Sequence, residues 1–297
     1  MVDRVKVILN PYGGLLTEQT KVALVEPALQ QVGLNYDLQM SNHPQHCLEL
    51  ARQAAQEGWP VVVAAGGDGL INQVLNGLMQ VTREAEAGIL GIIPLGTAND
   101  LADMLALPRD VVAACQRIAE GQTRLIDVGQ VNGHYFINNS AVGLEPVVTI
   151  LHERMRQIKG KWRYILAALT SIATAKPWLM RLTWGQSQYE GPVSLVSIGN
   201  SPRTGGSFYL TPNAELDDGL LDFVYDTGVS RWQMLWLLPQ TLKGTHIHHA
   251  RVTYLRTTSL SITSARPTPI QADGEVFDKG ATEINYQIIP HKLRVIV

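Results

Sequence analysis

Two hydrophobic rhythms divide the chain. From residue 5 to about 121, short apolar runs alternate with segments whose apolar positions recur every three or four residues, the pattern of buried strands followed by amphipathic helices. Residues 5–9 predict a buried strand. The next segment carries Val22, Leu24, Val25 and Leu29 at helical spacing, with Gly33 as its stop. A strand over 36–40 leads to a helix capped by Ser41 or Asn42, with Leu48, Ala51 and Ala55 inward and Gly58 at its end. Residues 61–65, VVVAA, are continuous and β-branched, as a strand covered on both faces requires. Leu70, Ile71, Val74, Leu75 and Leu78 then resume helical spacing. A strand over 88–93 and a helix over 111–120, stopped by Gly121, complete this half. Repeated strand-then-helix order predicts an α/β domain with a parallel sheet and helices on both faces.

From Thr123 the texture changes. Short β-rich stretches fall at 125–131, 134–138, 179–184, 193–198, 221–225 and 260–262. Asn132-Gly133 reads as a hairpin turn between the first two. Many short strands with turn signals predict a β-sandwich. The expected division is therefore residues 1–124 and 125–297, with the last residues free to return to the first domain.

Composition narrows the class without naming a function. A chain of 297 residues is long enough for two cores, and 45% hydrophobic with 17% charged residues is ordinary for a soluble globular protein. A formal net charge of −2 gives no global attraction to nucleic acid, so no nucleic-acid partner is expected. The two cysteines, Cys47 and Cys115, make neither a disulfide framework nor a metal cluster. Arg4 and Lys6 interrupt the first apolar residues, so no signal peptide is read there. The apolar window 164–175 is too short to span a bilayer. The expectation is a cytoplasmic protein without a transmembrane segment.

In parallel α/β sheets, ligands bind beyond the carboxyl ends of the strands. Three of the predicted strand ends carry polar, glycine-bearing loops, at 10–14, 66–69 and 96–100. The middle one, Gly66-Gly67-Asp68-Gly69, joins a strand to a helix, where backbone N–H groups can meet a phosphate. Asp68 adds a carboxylate suited to a magnesium–nucleotide complex. Alone the turn matches neither the dinucleotide fingerprint nor the Walker loop, and it could be a tight turn with no ligand. Three such loops at one edge point to a nucleotide or phosphate site.

The stretch GGDGLINQVLNGL, followed some twenty residues later by PLGTANDLA and preceded by Asn10-Pro11, resembles the diacylglycerol kinase catalytic-domain family. That family includes bacterial YegS-like lipid kinases and the sphingosine kinases, and is remotely similar to phosphofructokinases. The resemblance covers both halves. It implies a Rossmann-like three-layer domain of phosphofructokinase type, a C-terminal β-sandwich, and ATP in the cleft between them. The implied reaction is transfer of the γ-phosphate to a hydroxyl of diacylglycerol or a related lipid, with ATP and Mg2+. Carried over, the nucleotide contacts are Asn10, Pro11, Ser41, Gly66, Gly67, Asp68, Gly69, Asn72, Gln73, Thr97 and Asn99. The triplet Asp273-Gly274-Glu275, which could otherwise be a plain hairpin tip, becomes catalytic, with Glu275 as the favoured base, Asp273 as a supporting or alternative one and Asp68 acting through magnesium. In the segment around Asp217-Asp218-Gly219, the resemblance implies a structural magnesium held by the Asp218 carboxylate and the carbonyls of Glu215 and Leu220. Gly205-Gly206 matches a further glycine loop of the family.

Two positions depart from the family pattern. Leu70 stands where a Thr or Ser is usual, and Gln73 where a Glu is usual, so a tempered activity is expected. Arg154, Arg156, Lys159, Lys161 and Arg163 put five positive charges in ten residues ahead of Leu166, Leu169 and Ile172. This segment is either a solvated helical face or a docking patch for a lipid surface, which would place the protein peripherally at the inner face of a membrane. A homodimer is compatible with the sequence. The cluster His246, His248 and His249 lacks a carboxylate partner nearby and is not read as a metal site. The rival readings are an impaired nucleotide- or lipid-binding relative and a kinase of a soluble nucleotide, similar to NAD kinases.

Overall fold

The computed structural model describes residues 2, 4–12, 16–43, 45–81, 88–155, 158 and 161–297, apart from the side chains at 161, 162 and 164. Gly13 and Gly14 of the first loop, and Arg156, Lys159 and the Lys161 side chain of the basic segment, lie outside that set. The chain divides into two compact units: residues 1–128, 135–137 and 289–297, and residues 129–134 with 138–288.

In the first unit β1 (Val5–Leu9), β2 (Tyr36–Met40), β3 (Val61–Gly66) and β4 (Ile89–Pro94) alternate with α1 (Glu18–Gln31), α2 (His46–Gln56), α3 (Asp68–Val81), α4 (Asp100–Met104) and α5 (Val111–Glu120). The pairs β1–β2, β1–β3 and β3–β4 are parallel, giving the order β2-β1-β3-β4. The end of the chain adds one more parallel partner, with Arg294 opposite Ile89 and Val295 opposite Leu90. β1 leads outward to β2, whereas β3 returns to the other side of β1. The direction of winding therefore reverses between β1 and β3, and in open α/β sheets a crevice for ligands opens at such a point.

Side chains alternate across the strands. Val5, Val7 and Leu9 of β1, with Val61, Val63 and Ala65 of β3, pack with Val25 and Leu29 of α1 and Cys115 and Ile118 of α5. α2 and α3 pack against each other and supply the helices of the opposite face. Three layers result.

Some helical registers differ from the sequence expectation. Leu24 is 42% exposed, and α1 turns Lys21, Val25, Ala28 and Leu29 inward instead. α2 starts after Gln45, in a left-handed conformation with no side-chain cap, so neither Ser41 nor Asn42 caps it. Its buried face is Cys47, Leu50, Ala51 and Ala54. The turn after β3 is also tighter than four residues, because α3 begins at Asp68.

The second unit is built on antiparallel strands. β7 (Asn139–Gly143), β10 (Leu195–Gly199), β11 (Leu221–Asp226) and β12 (Val252–Thr257) continue from β13 (Ser259–Ala272), which pairs with β14 (Glu275–Ile296). The hairpin β8 (Trp178–Trp184) and β9 (Ser187–Val193) pairs through β8 with residues 261–264 of β13, whereas residues 270–272 pair with β7. Between them the β13–β14 register shifts, so one long strand bends from one partner to another as sandwich corners do. β5 (Thr123–Val131) and β6 (His134–Phe136) form the hairpin expected at Asn132-Gly133, whose φ values of 47° and 86° are those of a left-handed two-residue turn. α6 (Leu144–Arg154), α7 (Lys161–Thr174) and α8 (Arg231–Thr241) pack in sequence on this unit.

Candidate active site

The loops after β3 and β4 touch backbone to backbone. A Cβ on Gly67 would lie 3.0 Å from Gly96 Cα, and one on Gly96 would overlap Gly67 and sit 2.7 Å from Asn99 Oδ1. Only glycine at both positions permits this approach. Leu95 N donates to Gly66 O at 3.0 Å, which carries the ladder to the loops. Asn99, with φ 54°, closes the second loop on itself: its Oδ1 accepts from Gly96 N at 3.0 Å and its Nδ2 donates to Gly96 O at 2.9 Å. Asp68 reaches from the first loop to the second, where Leu101 N donates to its Oδ1 at 3.4 Å. Burial raises the Asp68 carboxyl above the usual carboxylate range, against the opposing pull of the Leu101 and Asp100 amides. Thr97 is exposed, and Gly69 and Gln73 are half-buried in the first turns of α3.

The loop after β1 joins by polar contacts. Asn10 Oδ1 accepts from Tyr12 N at 2.8 Å and meets Ser41 Oγ at 3.5 Å, while Ser41 N donates to Leu9 O at 3.0 Å. Beneath it, buried Lys21 donates to the carbonyls of Asn10 and Pro11 at 2.8 and 3.4 Å, and burial lowers its pKa. Lys21 was not expected; its inward position on the stripe with Val25 and Ala28 is the signal that could have found it. Asn72 turns away from the loops: its Nδ2 donates to Tyr135 O at 2.9 Å, and Asn76 donates to its Oδ1 at 3.2 Å.

Leu70 is 4% exposed, and a Cβ on Gly66 would lie 2.5 Å from its Cδ2. The side chain is thus a packed lid over the end of β3. The expectation of tempered activity rested on a hydroxyl missing at 70 and a carboxylate missing at 73; the surroundings of Leu70 are core rather than loop, whereas Gln73 is half-buried on α3.

In the second unit Asp273 and Gly274 are the two turn residues between β13 and β14, with φ 46° and 84°. Asp273 is 7% exposed, and its Oδ1 accepts from Asn138 N and Asn139 N at 2.8 and 3.1 Å. That carboxylate braces the turn, while Glu275 beside it is exposed. Gln271 supports the turn from inside, where its Oε1 accepts from Gly274 N at 2.8 Å.

Gln271 also donates to a residue that sequence reading missed. Glu145, in the first turn of α6, is buried, and its Oε1 accepts from Asn139 Nδ2 at 3.1 Å, Gln271 Nε2 at 3.0 Å and Thr204 Oγ1 at 3.3 Å. Burial raises its pKa to about 7. Glu145 lines a cavity of about 150 Å³ whose walls are mostly apolar, among them Val148, Ile172, Phe208, Met234 and Leu237. The space exceeds the roughly 10–15 Å³ that one water needs.

The expected magnesium ligands lie ahead of β11. Asp218 Oδ1 accepts from Leu220 N at 3.0 Å, and its buried Oδ2 has no hydrogen-bond partner. That oxygen is instead ion-paired with Arg256 Nη1 at 3.4 Å, so a hard cation there would have to displace the guanidinium. The side chain of Glu215 is exposed, consistent with service through its carbonyl alone. His246 is buried with its pKa lowered to about 4 by burial, and His248 and His249 do not join it in a ligand cluster among the described residues.

Residues 4–131 match the model of the diacylglycerol kinase catalytic domain, and residues 139–297 match the YegS C-terminal NAD kinase beta sandwich-like domain. The chain is 27% identical over 276 residues to a diacylglycerol kinase of Bacillus subtilis (strain 168), covering 92% of this chain and 90% of that one. It is 28% identical over 278 residues to a diacylglycerol kinase of Staphylococcus aureus (strain Newman), covering 93% and 87%. Among solved structures, a diacylglycerol kinase from Bacillus anthracis str. Sterne superposes with a TM-score of 0.74 at 18% identity, covering 99% of this chain and 97% of that one. With both units matched in this way, the chain belongs to the diacylglycerol kinase catalytic-domain family with a YegS-type C-terminal domain.

Proposed function

We propose that the protein is an ATP-dependent lipid kinase that transfers the γ-phosphoryl group to a hydroxyl of diacylglycerol or a related neutral lipid. The observation that carries the lipid acceptor is the open-sided apolar cavity of the second unit, which a kinase of a water-soluble nucleotide has no use for. Backbone amides at 66–69 and the Thr97 hydroxyl hold phosphate oxygens, and Asn10 and Ser41 frame the loop after β1. Magnesium, when bound with the nucleotide, neutralises phosphate charge, and Asp68 is the residue that would hold it. Glu275, exposed at the turn, takes the proton from the acceptor hydroxyl as the new bond forms. Asp273 keeps the turn in the conformation that presents it.

Lipid acceptors reside in membranes, and no helix among the described residues is long and apolar enough to cross one. α7 and α8 line the cavity with Ala168, Ile172, Met234 and Leu237, yet expose Ile165, Leu166 and Leu169 on one helix and Trp232 and Trp236 on the other. Exposed Trp beside aliphatic residues and Arg231 suits the headgroup region of a bilayer, so this face is our reading of a peripheral docking surface.

Purified protein incubated with labelled ATP, magnesium and mixed micelles of candidate lipids tests the reading. Label is expected in the organic phase. Label in a water-soluble nucleotide, or none in any product despite ATP binding, would overturn it.

A further inference from the structure

Lys21 is a buried charge to which the proposed chemistry gives no task. It is 3% exposed on α1, and lysine is seldom buried unless its ammonium is held. Its backbone is fixed: Lys21 N donates to Thr17 O at 3.0 Å, and Thr17 caps the helix by accepting from Thr20 N at 3.3 Å. Further along the same helix, Val25, Ala28 and Leu29 are set into the core. From that rigid base Nζ donates to Asn10 O at 2.8 Å and to Pro11 O at 3.4 Å.

The composition of the loop explains why a lysine serves there. Pro11 has no N–H, so this stretch is tied down chiefly through its carbonyls. An ammonium carries three donors on one atom and can hold two successive carbonyls at once, with the added strength of a charged donor. Asn10 is thereby fixed at both ends. Lys21 holds its carbonyl, while its Oδ1 accepts from Tyr12 N at 2.8 Å and lies 3.5 Å from Ser41 Oγ. Ser41 N is bound in turn to Leu9 O at 3.0 Å.

We propose that Lys21 is a positioning residue for nucleotide binding: by holding the carbonyls of Asn10 and Pro11, it keeps the edge formed by Asn10 and Ser41 in the shape that receives a nucleoside triphosphate. The inference rests on the ATP-binding reading of the site and adds the residue that shapes one of its loops. At 3% exposure the ammonium is closed to a soluble ligand, so its effect reaches the nucleotide through the loop. Losing such a residue weakens the bound ground state and the transition state alike, which raises KM and leaves kcat in place.

Lys21→Met tests this, because methionine keeps an apolar stem and deletes the donors. ATP affinity would be measured by calorimetry without lipid, and KM for ATP and kcat with diacylglycerol micelles. Amide exchange at Tyr12 and Ser41 would be compared with exchange in α5. Lys21→Met should bind ATP about tenfold more weakly and raise KM for ATP by a similar factor, with kcat within about twofold of wild type. Tyr12 and Ser41 should exchange faster, and α5 as in wild type. Should Lys21→Met fail to fold, Lys21→Gln, which keeps an N–H donor on a shorter stem, is read in the same way, and a smaller loss of ATP affinity is expected.

Wild-type ATP affinity in either folded variant would overturn the proposal. So would a large fall in kcat at unchanged KM, which would put Lys21 in the chemistry. Exchange that rises equally in α5 would also overturn it, because the residue would then support the whole unit and not the loop. Wild type that binds no ATP would sink the ATP reading and this inference together. Wild type that binds ATP, beside a Lys21→Met that binds it equally well, would sink this inference alone.

Discussion

The glycine loops of the first unit and the Glu145 network of the second are both polar constructions, held together in opposite ways. The loops meet through what is absent: two backbones touch at Gly67 and Gly96 because neither carries a Cβ, and the side chains of Asn99 and Asp68 fasten that approach. The network is held by side chains, with Asn139, Thr204 and Gln271 converging on one carboxyl oxygen. A backbone site tolerates change at its side chains until one that does chemistry is touched. A side-chain network couples every member to stability.

The sharpest way to break that comparison is Asp68→Asn. It removes a proposed transition-state ligand from a site whose geometry is set by backbone, so turnover should fall by about 10²–10³ while the melting temperature holds or rises slightly. A fall in melting temperature alongside the lost turnover would show that the loops depend on side chains after all.

Glu145→Gln tests the other half through pH. The folded carboxyl titrates near 7 and the unfolded one near its ordinary 4.5. Between those values the folded state holds a proton that the unfolded state has released, so Glu145's contribution to stability falls as pH rises through the window and levels off above it. Asp226, His246 and Tyr286 share its surroundings. The variant should therefore gain stability over wild type at pH 8 compared with pH 4.5, by at most about 3 kcal/mol. His246 works in the opposite sense: its folded pKa is about 4, so its contribution is lost as pH falls below about 6.5. Denaturant unfolding at a series of pH values reads both, and parallel curves for variant and wild type would contradict the Glu145 assignment.

Gly96→Ala sharpens the backbone side. Its new Cβ meets Gly67 and Asn99, so stability should drop by about 1–3 kcal/mol and ATP binding weaken with it, by thermal shift with and without nucleotide. Wild-type behaviour would mean that the loops part easily. The smallest effect is expected from Trp236→Ala on exposed α8. Stability should change by no more than about 0.5 kcal/mol, while co-sedimentation with anionic vesicles falls severalfold. Unchanged vesicle binding would move the docking surface elsewhere.

How much of this was legible follows from the same contrast. The strands of the first unit and the helix ending at Gly121 were readable because apolar runs and left-handed glycines are local. The loops at 66–69 and 96–100 were readable because close backbone approach demands glycine, and glycine is visible in sequence. Lys21 and Leu70 were harder: one is a charged residue on an inward stripe, the other an apolar residue inside a polar motif. β7 was missed because its residues Asn139 and Ser140 are polar yet buried, with hydrogen bonds to Asp273 and Gln271 far along the chain. Glu145 was missed for the same reason. Its donors lie as far away as residue 271, and no spacing rule spans such a distance.

The division of labour is tested most directly by assaying wild type, Asp68→Asn and Glu275→Gln side by side with labelled ATP, magnesium and diacylglycerol micelles, with ATP affinity measured on the same samples. Label should enter the lipid with wild type and be nearly lost in both variants, while Glu275→Gln binds ATP as wild type does. Lipid labelling that survives in Asp68→Asn or Glu275→Gln, or that is absent from wild type under every condition, would contradict it.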